Sequence, residues 1–207
     1  MIGAPQMIPS PRKRLSPDES RAAALNAART LLITSGPQAV TLKAVAAKVG
    51  RTHANVLHHF GSADGLQRAL ADKMAQATCA AITEVTLHAR KGEANPAQIV
   101  DMCFDAFDRE GFGQLASWMI VTGHRADLQP IMEAIHHLVD VLTIDSGPEY
   151  HDSIAKNALN LIFLSMSNAL LGKELAAAVG LSQSAARELA LEPILRAPTM
   201  AKRPATA

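Results

Sequence analysis

The chain has 207 residues, of which 48% are hydrophobic and 19% charged, so it can bury one sizeable core or two that share helices. The formal net charge of +1 hides an asymmetry: residues 1–65 carry eight Lys/Arg against three acids, and the remainder twelve against sixteen. Two cysteines without metal-ligand spacing, Cys79 and Cys103, speak against a disulfide framework and for reduced core thiols in a cytosolic protein.

The N-terminal segment MIGAPQMIPSPRKR has no apolar stretch long enough for a signal peptide. Its proline and basic content predicts a flexible basic arm over residues 1–15. Ser16-Pro17-Asp18-Glu19 is a capping box with proline at the first helical position. The helix it opens runs through Leu25, Ala28 and Leu32 to Ser35-Gly36, and Pro37 interrupts the chain. Thr41 stands where an N-cap belongs, and Leu42, Val45, Ala46 and Val49 follow at helical spacing up to Gly50. Thr52 can cap the next segment, which offers only Val56 and Phe60 inward. Two short helices joined by a glycine turn predict a helix-turn-helix, whose second helix fits the major groove of B-DNA.

The run of Gly50, Thr52, Val56, His59-Phe60, Gly61-Ser62 and Leu66 resembles the DNA-binding signature of the TetR family of transcriptional repressors, with the close match over residues 18–75. The resemblance implies an all-α protein of about nine helices. It predicts a three-helix DNA-binding head over 16–63, a ligand-binding and dimerisation body over 64–195, and a disordered tail over 196–207. It also implies that His53, Ala54 and Asn55 meet base edges, while Thr41 and Lys43 contact backbone or an outer base. Asn55 can pair bidentately with adenine, Lys43 can reach a guanine or a phosphate, and Ala54 can pack on a thymine methyl. Thr52 and His58 complete the expected DNA-binding set, with Arg12 and Arg14 of the arm. Two positions depart from the family: Leu57 replaces a usual tyrosine and Ala63 a usual lysine, so two phosphate contacts are missing. The Arg12-Lys13-Arg14 cluster is the expected compensation.

Beyond the head the chain reads as helices throughout. The fourth, about Asp64 to Lys91, carries Leu66, Leu70, Met74, Ala77, Ala81, Val85 and His88 three or four residues apart and spans about 40 Å. Asn95-Pro96 opens a fifth helix ending near Gly111, a short sixth holds Leu115, Trp118 and Met119, and a seventh runs from Asp127 to Leu142. Ser146-Gly147-Pro148 is a turn. Two helices remain, Asp152–Val179 and Ser182 to about Glu192. The apolar stretch Ala158–Leu171 is shorter than the ~20 residues of a membrane span, so no membrane partner is expected.

The small-residue stripe Ile154, Ala158, Leu161, Ser165, Ala169 and Gly172 allows close helix approach. With the family's pairing of its last two helices, it marks Leu161, Ser165, Ala169, Gly172, Ala186 and Leu189 as the expected homodimer interface. The body's Met and aromatic residues suit an adaptable cavity for a small apolar or amphipathic effector. The expected lining is Met102, Phe107, Trp118, Met119, His136, Phe163 and Met166, in a population that also includes Phe104 and Met132, with His88, His124 and His137 as further polar anchors. No nucleophile elbow, phosphate-binding glycine loop or HExxH occurs, so neither an enzyme, a cofactor nor a metal site is expected. The adjacent pairs His58-His59 and His136-His137 diverge by about 100° on a helix and cannot chelate alone, which disfavours a metal sensor.

The expectation is therefore a cytoplasmic, dimeric repressor that binds a palindromic double-stranded operator and is released by a small molecule. The alternative is a protein of the same fold that has lost autonomous DNA binding, through Leu57 and Ala63, and works as a ligand- or protein-binding module.

Overall fold

The computed structural model describes residues 16–196. The expected arm, with Arg12 and Arg14, and the tail after Arg196 lie outside the described residues. Nine α-helices and three short 3₁₀ turns make up the described chain, which contains no strand.

The head comprises α1 (Pro17–Ser35), α2 (Leu42–Val49) and α3 (His53–Phe60). Ser16 starts α1 by accepting from the Glu19 amide at 3.1 Å while the Glu19 carboxylate accepts from the Ser16 amide at 2.7 Å. Thr41 and Thr52 do the same for the next two helices, accepting from the Ala44 and Asn55 amides at 3.2 Å. Gly50 ends α2 in the left-handed conformation, and the Arg51 amide reaches back to the Ala46 carbonyl. That closure lets α3 leave at a sharp angle within three residues. Leu42, Val45, Val56 and Phe60 meet Ala24, Leu25 and Ala28 of α1 in one small core.

Helix α4 (Ala63–Arg90) leaves the head and enters the body. Its first turns bury Leu66 and Leu70 with the head residues, and its later turns bury Met74, Ala75 and Ile82. A boundary at 63/64 therefore falls at the start of a helix that serves both modules. Against α4 pack α5 (Ala97–Phe107), α6 (Phe112–Val121) and α7 (Gln129–Ser146), and α8 (His151–Ala178) and α9 (Ala185–Arg196) pack on α5 and on each other. Arg68 of α4 pairs with Asp127 just before α7, and Arg90 with Asp145 near its end, so α4 and α7 run parallel.

Several bounds differ from the sequence reading. Helix α5 stops at Phe107, four residues before Gly111, and α7 starts at Gln129 because Arg125–Leu128 winds as a 3₁₀ turn. Helix α9 continues past Glu192 and includes Pro193 and Arg196. Leu191 and Ile194 flank that proline and pack on the core, and this packing outweighs the lost amide donor. Helix α8, His151–Ala178, matches its expected bounds to within one residue, and the departure lies in its apolar length. It continues through Asn160, Ser165 and Ser167, and by length and composition it could cross a membrane, with a mean hydropathy of 1.2 over its most apolar window. Only Leu161 and Ser165 of its 28 residues are buried.

Head and body also touch at the turn between α5 and α6. Gly111, at φ 79°, puts the α5–α6 turn against α1, where a Cβ would sit 3.0 Å from Leu32 Cγ. Arg29 of α1 reaches Glu110 of the same turn at 2.9 Å. Gly111→Ala should lose at least about 1 kcal/mol of stability in denaturant unfolding, from positive φ and the collision together. An unchanged midpoint would mean that the turn relaxes freely.

Candidate nucleic-acid interface and ligand cavity

The outer face of the head is built from α2 and α3. Only Val56 and Phe60 of α3 are buried, and His53, Ala54, Leu57 and His58 are exposed with Asn55 half-buried. Thr41, Lys43, Lys48, Arg51 and Thr52 are likewise exposed. The two threonine hydroxyls are engaged as caps, so their first role is to fix the helix starts. Residues 36–63 contain no acidic side chain. The first acid after them, Asp64, is held by His124 Nε2 at 3.3 Å. Among the described residues Lys43, Lys48 and Arg51 make no ion pair, and exposed cations without a nearby acid in the sequence attract phosphate.

Leu57, at the family's tyrosine position, is 39% exposed, and Ala63 is the first residue of α4. Neither can donate to a phosphate.

Two residues that the sequence did not single out set the angle of α3. Arg21 of α1 donates to the His59 carbonyl at 3.0 Å, and its guanidinium lies 4.6 Å from the Phe60 ring centroid. A cation there satisfies the end of α3 and pins it to α1. Gln67 of α4 is buried and donates to the Val40 carbonyl at 3.3 Å, next to the cap of α2. The junction between α3 and α4 is tight: a Cβ on Gly65 would collide with the Phe60 carbonyl oxygen.

The body encloses a cavity of about 330 Å³ between α4, α5, α7 and α8, with the end of α9 at its rim. Its walls are mainly Ile, Leu, Val and Ala side chains, including Ile82, Ile99, Ile131, Ile135, Leu138 and Leu142. Phe107 and Phe112 line it as an edge-to-face pair with centroids 5.1 Å apart. Polar groups come from Thr78, Thr86, Arg90, Ser146, Tyr150, Ser153 and Asn157.

Of the expected lining residues, the cavity wall includes Phe107 alone. Met119 and Phe104 are fully buried in core packing, and Met102, Trp118 and Met166 are half-buried away from the void. Phe163 and Met132 are 63% and 50% exposed on outer surfaces. His136 and His137 are exposed, and His88, also exposed, sits against Glu93 at 2.8 Å. His124 faces Asp64 rather than a ligand.

The expected dimer stripe needs the same correction. Leu161 and Ser165 are buried within the subunit, and Ser165 donates to Cys103 Sγ at 3.4 Å. Ala169 packs against the backbone near Gly113, and Gly172 is half-buried. Small residues there let α8 approach α5 and α6 inside one chain. The opposite face of α8 exposes Leu159, Phe163 and Leu170, and α9 exposes Leu189 with half-buried Ala186 nearby.

Burial pushes the Cys103 thiol up to about 11, only partly offset by the Ser165 hydrogen bond, and burial also raises Cys79. Among the described residues no group of three His, Cys, Asp or Glu is placed to hold a metal ion.

Residues 24–70 match the sequence model of the bacterial regulatory proteins of the tetR family. No curated protein matches the chain. Among solved structures, the multidrug binding protein EbrR complexed with imidazole is similar at TM-score 0.60 and 18% identity, covering 84% of this chain and 94% of that one. A TetR-family transcriptional regulator from Pectobacterium atrosepticum is similar at TM-score 0.58 and 17% identity, covering 93% of this chain and 100% of that one. At such identity these two likenesses establish the fold.

Two outcomes follow from this geometry. Raising the thiol in the folded state makes its stabilising effect complete below the unfolded pKa of ~8.5 and lost as pH climbs through about 11. Iodoacetamide at pH 8 should therefore label Cys103 far more slowly in the native protein than in denaturant, and equal rates would contradict the burial. Separately, Arg21→Met should weaken DNA binding at least about tenfold, by releasing the end of α3. Circular dichroism should show retained helix content, and unchanged affinity would remove Arg21 from the account.

Proposed function

We propose that this chain is a DNA-binding transcriptional regulator of the TetR type, and specifically a dimeric, ligand-responsive repressor; the match of residues 24–70 to that family's sequence model supports the reading. Two copies bind a palindromic operator with one α3 in each of two successive major grooves. A small molecule in the body cavity releases them. The observation that carries this reading is the exposed face of α3, where only Val56 and Phe60 face inward and the flanking surface is basic.

Base contact falls to His53, Ala54 and Asn55, with Lys43 at an outer base or phosphate. Phosphate attraction falls to Lys43, Lys48 and Arg51 in place of the missing tyrosine and lysine. His58 and the arm residues Arg12 and Arg14 are added donors.

Dimerisation uses the outer faces of α8 and α9. Leu159, Phe163, Leu170, Leu171 and Leu175 are all at least 45% exposed on one helix. A run of large apolar side chains of this extent supports a protein partner over free solvent. A second copy is the partner that also puts two heads on one duplex, at the ~34–36 Å spacing of successive grooves. The same burial accounts for the apolar character of α8 without a membrane, and the repressor acts in the cytoplasm.

Release follows from the cavity's position along α4. EbrR is a multidrug binding protein, and its similarity supports a ligand role for this body. A ligand between α4, α5, α7 and α8 favours one of two placements of α4. It can shift the equilibrium only by its differential affinity for them. The retained cationic face favours this reading over a pure ligand- or protein-binding module.

Selection from a random duplex pool should recover a palindrome, bound with an affinity that falls steeply with salt. Asn55→Ala should weaken the selected site by roughly 5- to 150-fold, corresponding to ~1–3 kcal/mol, and leave non-specific binding unchanged. Recovery of no sequence, or no effect of Asn55→Ala, would refute operator readout. Phe163→Glu should give a monomer by light scattering and cost at least about tenfold in operator affinity. A dimer surviving Phe163→Glu paired with Leu170→Glu would refute the interface.

A further inference from the structure

The cavity's polar groups cluster at one end, with Thr78 and Thr86 the exceptions along its α4 wall. Its run along α4 extends from Ala75 to Arg90, about 22 Å at ~1.5 Å per residue. Near Ala75 the walls are Phe107, Phe112 and Ile131. At the far end, beyond the C-terminal turns of α4 and α7, Arg90 and Ser146 both bind the Leu142 carbonyl, at 3.2 and 2.7 Å. Tyr150, Ser153 and Asn157 follow at spacings of three or four residues across the start of α8. The parallel course of α4 and α7, with Arg68 beside Asp127 and Arg90 beside Asp145, puts the apolar end next to the head and the polar end away from it.

Among the described residues Arg90 is the one charged side chain in the wall, and no Asp or Glu lines the cavity. Its side chain is 17% exposed, and it bonds Leu142 and Asp145 through Nη1, which leaves Nε and Nη2 free to donate elsewhere. Asp145 is half exposed and can turn to water when a second acceptor arrives. A cation entering this space would meet no carboxylate inside, and its aromatic neighbours at the deep end are a single phenylalanine pair. Burying it unpaired costs far more than burying an apolar chain. An anion reaching Arg90 keeps a charge-assisted partner.

We infer that the effector is an elongated amphiphile with an unbranched apolar chain and a carboxylate head, the head seated on Arg90 and the chain directed toward Phe107 and Phe112. This rests on the reading of the cavity as the effector site and names the chemical class it takes. Chain depth then controls release. Phe112 opens α6 immediately after Gly111, and Gly111 touches Leu32 of α1. A chain long enough to displace the phenylalanine pair moves that turn against the head, and a short chain fills only the polar end.

Calorimetry on the full-length dimer tests this with straight-chain alkanoates of roughly eight to sixteen carbons, against alkanols and alkyltrimethylammonium ions of equal length. Affinity should rise with chain length toward the ~22 Å run. The cation should bind at least tenfold more weakly than the matched alkanoate. Arg90→Met should cost the alkanoate at least tenfold and leave the alkanol unchanged, and Asn157→Leu gives a second probe of the head site if Arg90→Met unfolds. Equal or tighter binding of the cation, alkanoate affinity indifferent to both substitutions, or no binding of any chain would overturn the inference. Operator affinity measured on the same samples without ligand separates the outcomes. Intact DNA binding with no amphiphile binding sinks the ligand class alone, and amphiphile binding without DNA release sinks the ligand-responsive reading.

Discussion

One helix carries a single core from the head into the body. Leu66 and Leu70 of α4 are buried with the head, and Ala75, Ile82 and Thr86 of the same helix wall the cavity. A continuous α-helix transmits displacement along its axis because bending it costs backbone hydrogen bonds. The body cannot rearrange around α4 without moving the surface on which α3 rests. Gln67 strengthens that dependence by fastening α4 to the backbone at Val40, immediately before the cap of α2. The Gly111–Leu32 contact adds a second route from the cavity wall to α1. Both routes are short; the first ends beside α2 and the second on α1, which packs against the helix-turn-helix.

The head was legible in the sequence because its signals are local. A capping box at Ser16, caps at Thr41 and Thr52, and a left-handed glycine at position 50 each act within four residues, so their spacing names the helix bounds directly. The body's signals are not local. Large Met and aromatic residues were expected to surround the cavity, yet Phe104 and Met119 fill space completely and leave none. A void persists where facing side chains are too short to meet. Its walls are accordingly mostly aliphatic, Ile, Leu and Ala with a few Thr and Ser and one phenylalanine pair, residues inconspicuous in a linear reading. Only contact across helices distant in sequence identifies them.

The small-residue stripe of α8 teaches the same lesson from the other side. Small side chains permit close approach but do not name the partner, and here the partner is the subunit's own α5 and α6. Large apolar residues left in the open, such as Phe163 and Leu170, are the stronger sign of a missing neighbour. The changes at Leu57 and Ala63 concentrate the electrostatic attraction for DNA in the unopposed cations Lys43, Lys48 and Arg51. On the proposed dimeric reading, a helix-turn-helix with fewer phosphate anchors depends more on the exact relative placement of its two copies, so a displacement of α4 would be a sensitive control.

The measurement closest to that claim is the distance between the two heads, read by pulsed electron spin resonance from a nitroxide at Ala22→Cys, an exposed position on α1 away from the proposed interface. With a selected operator the two labels should give one narrow distance, and a bound effector should move or broaden it by several ångströms as DNA is released. An effector that releases DNA while the distance stays fixed would contradict coupling through α4, and the absence of any dipolar signal would contradict the dimer itself.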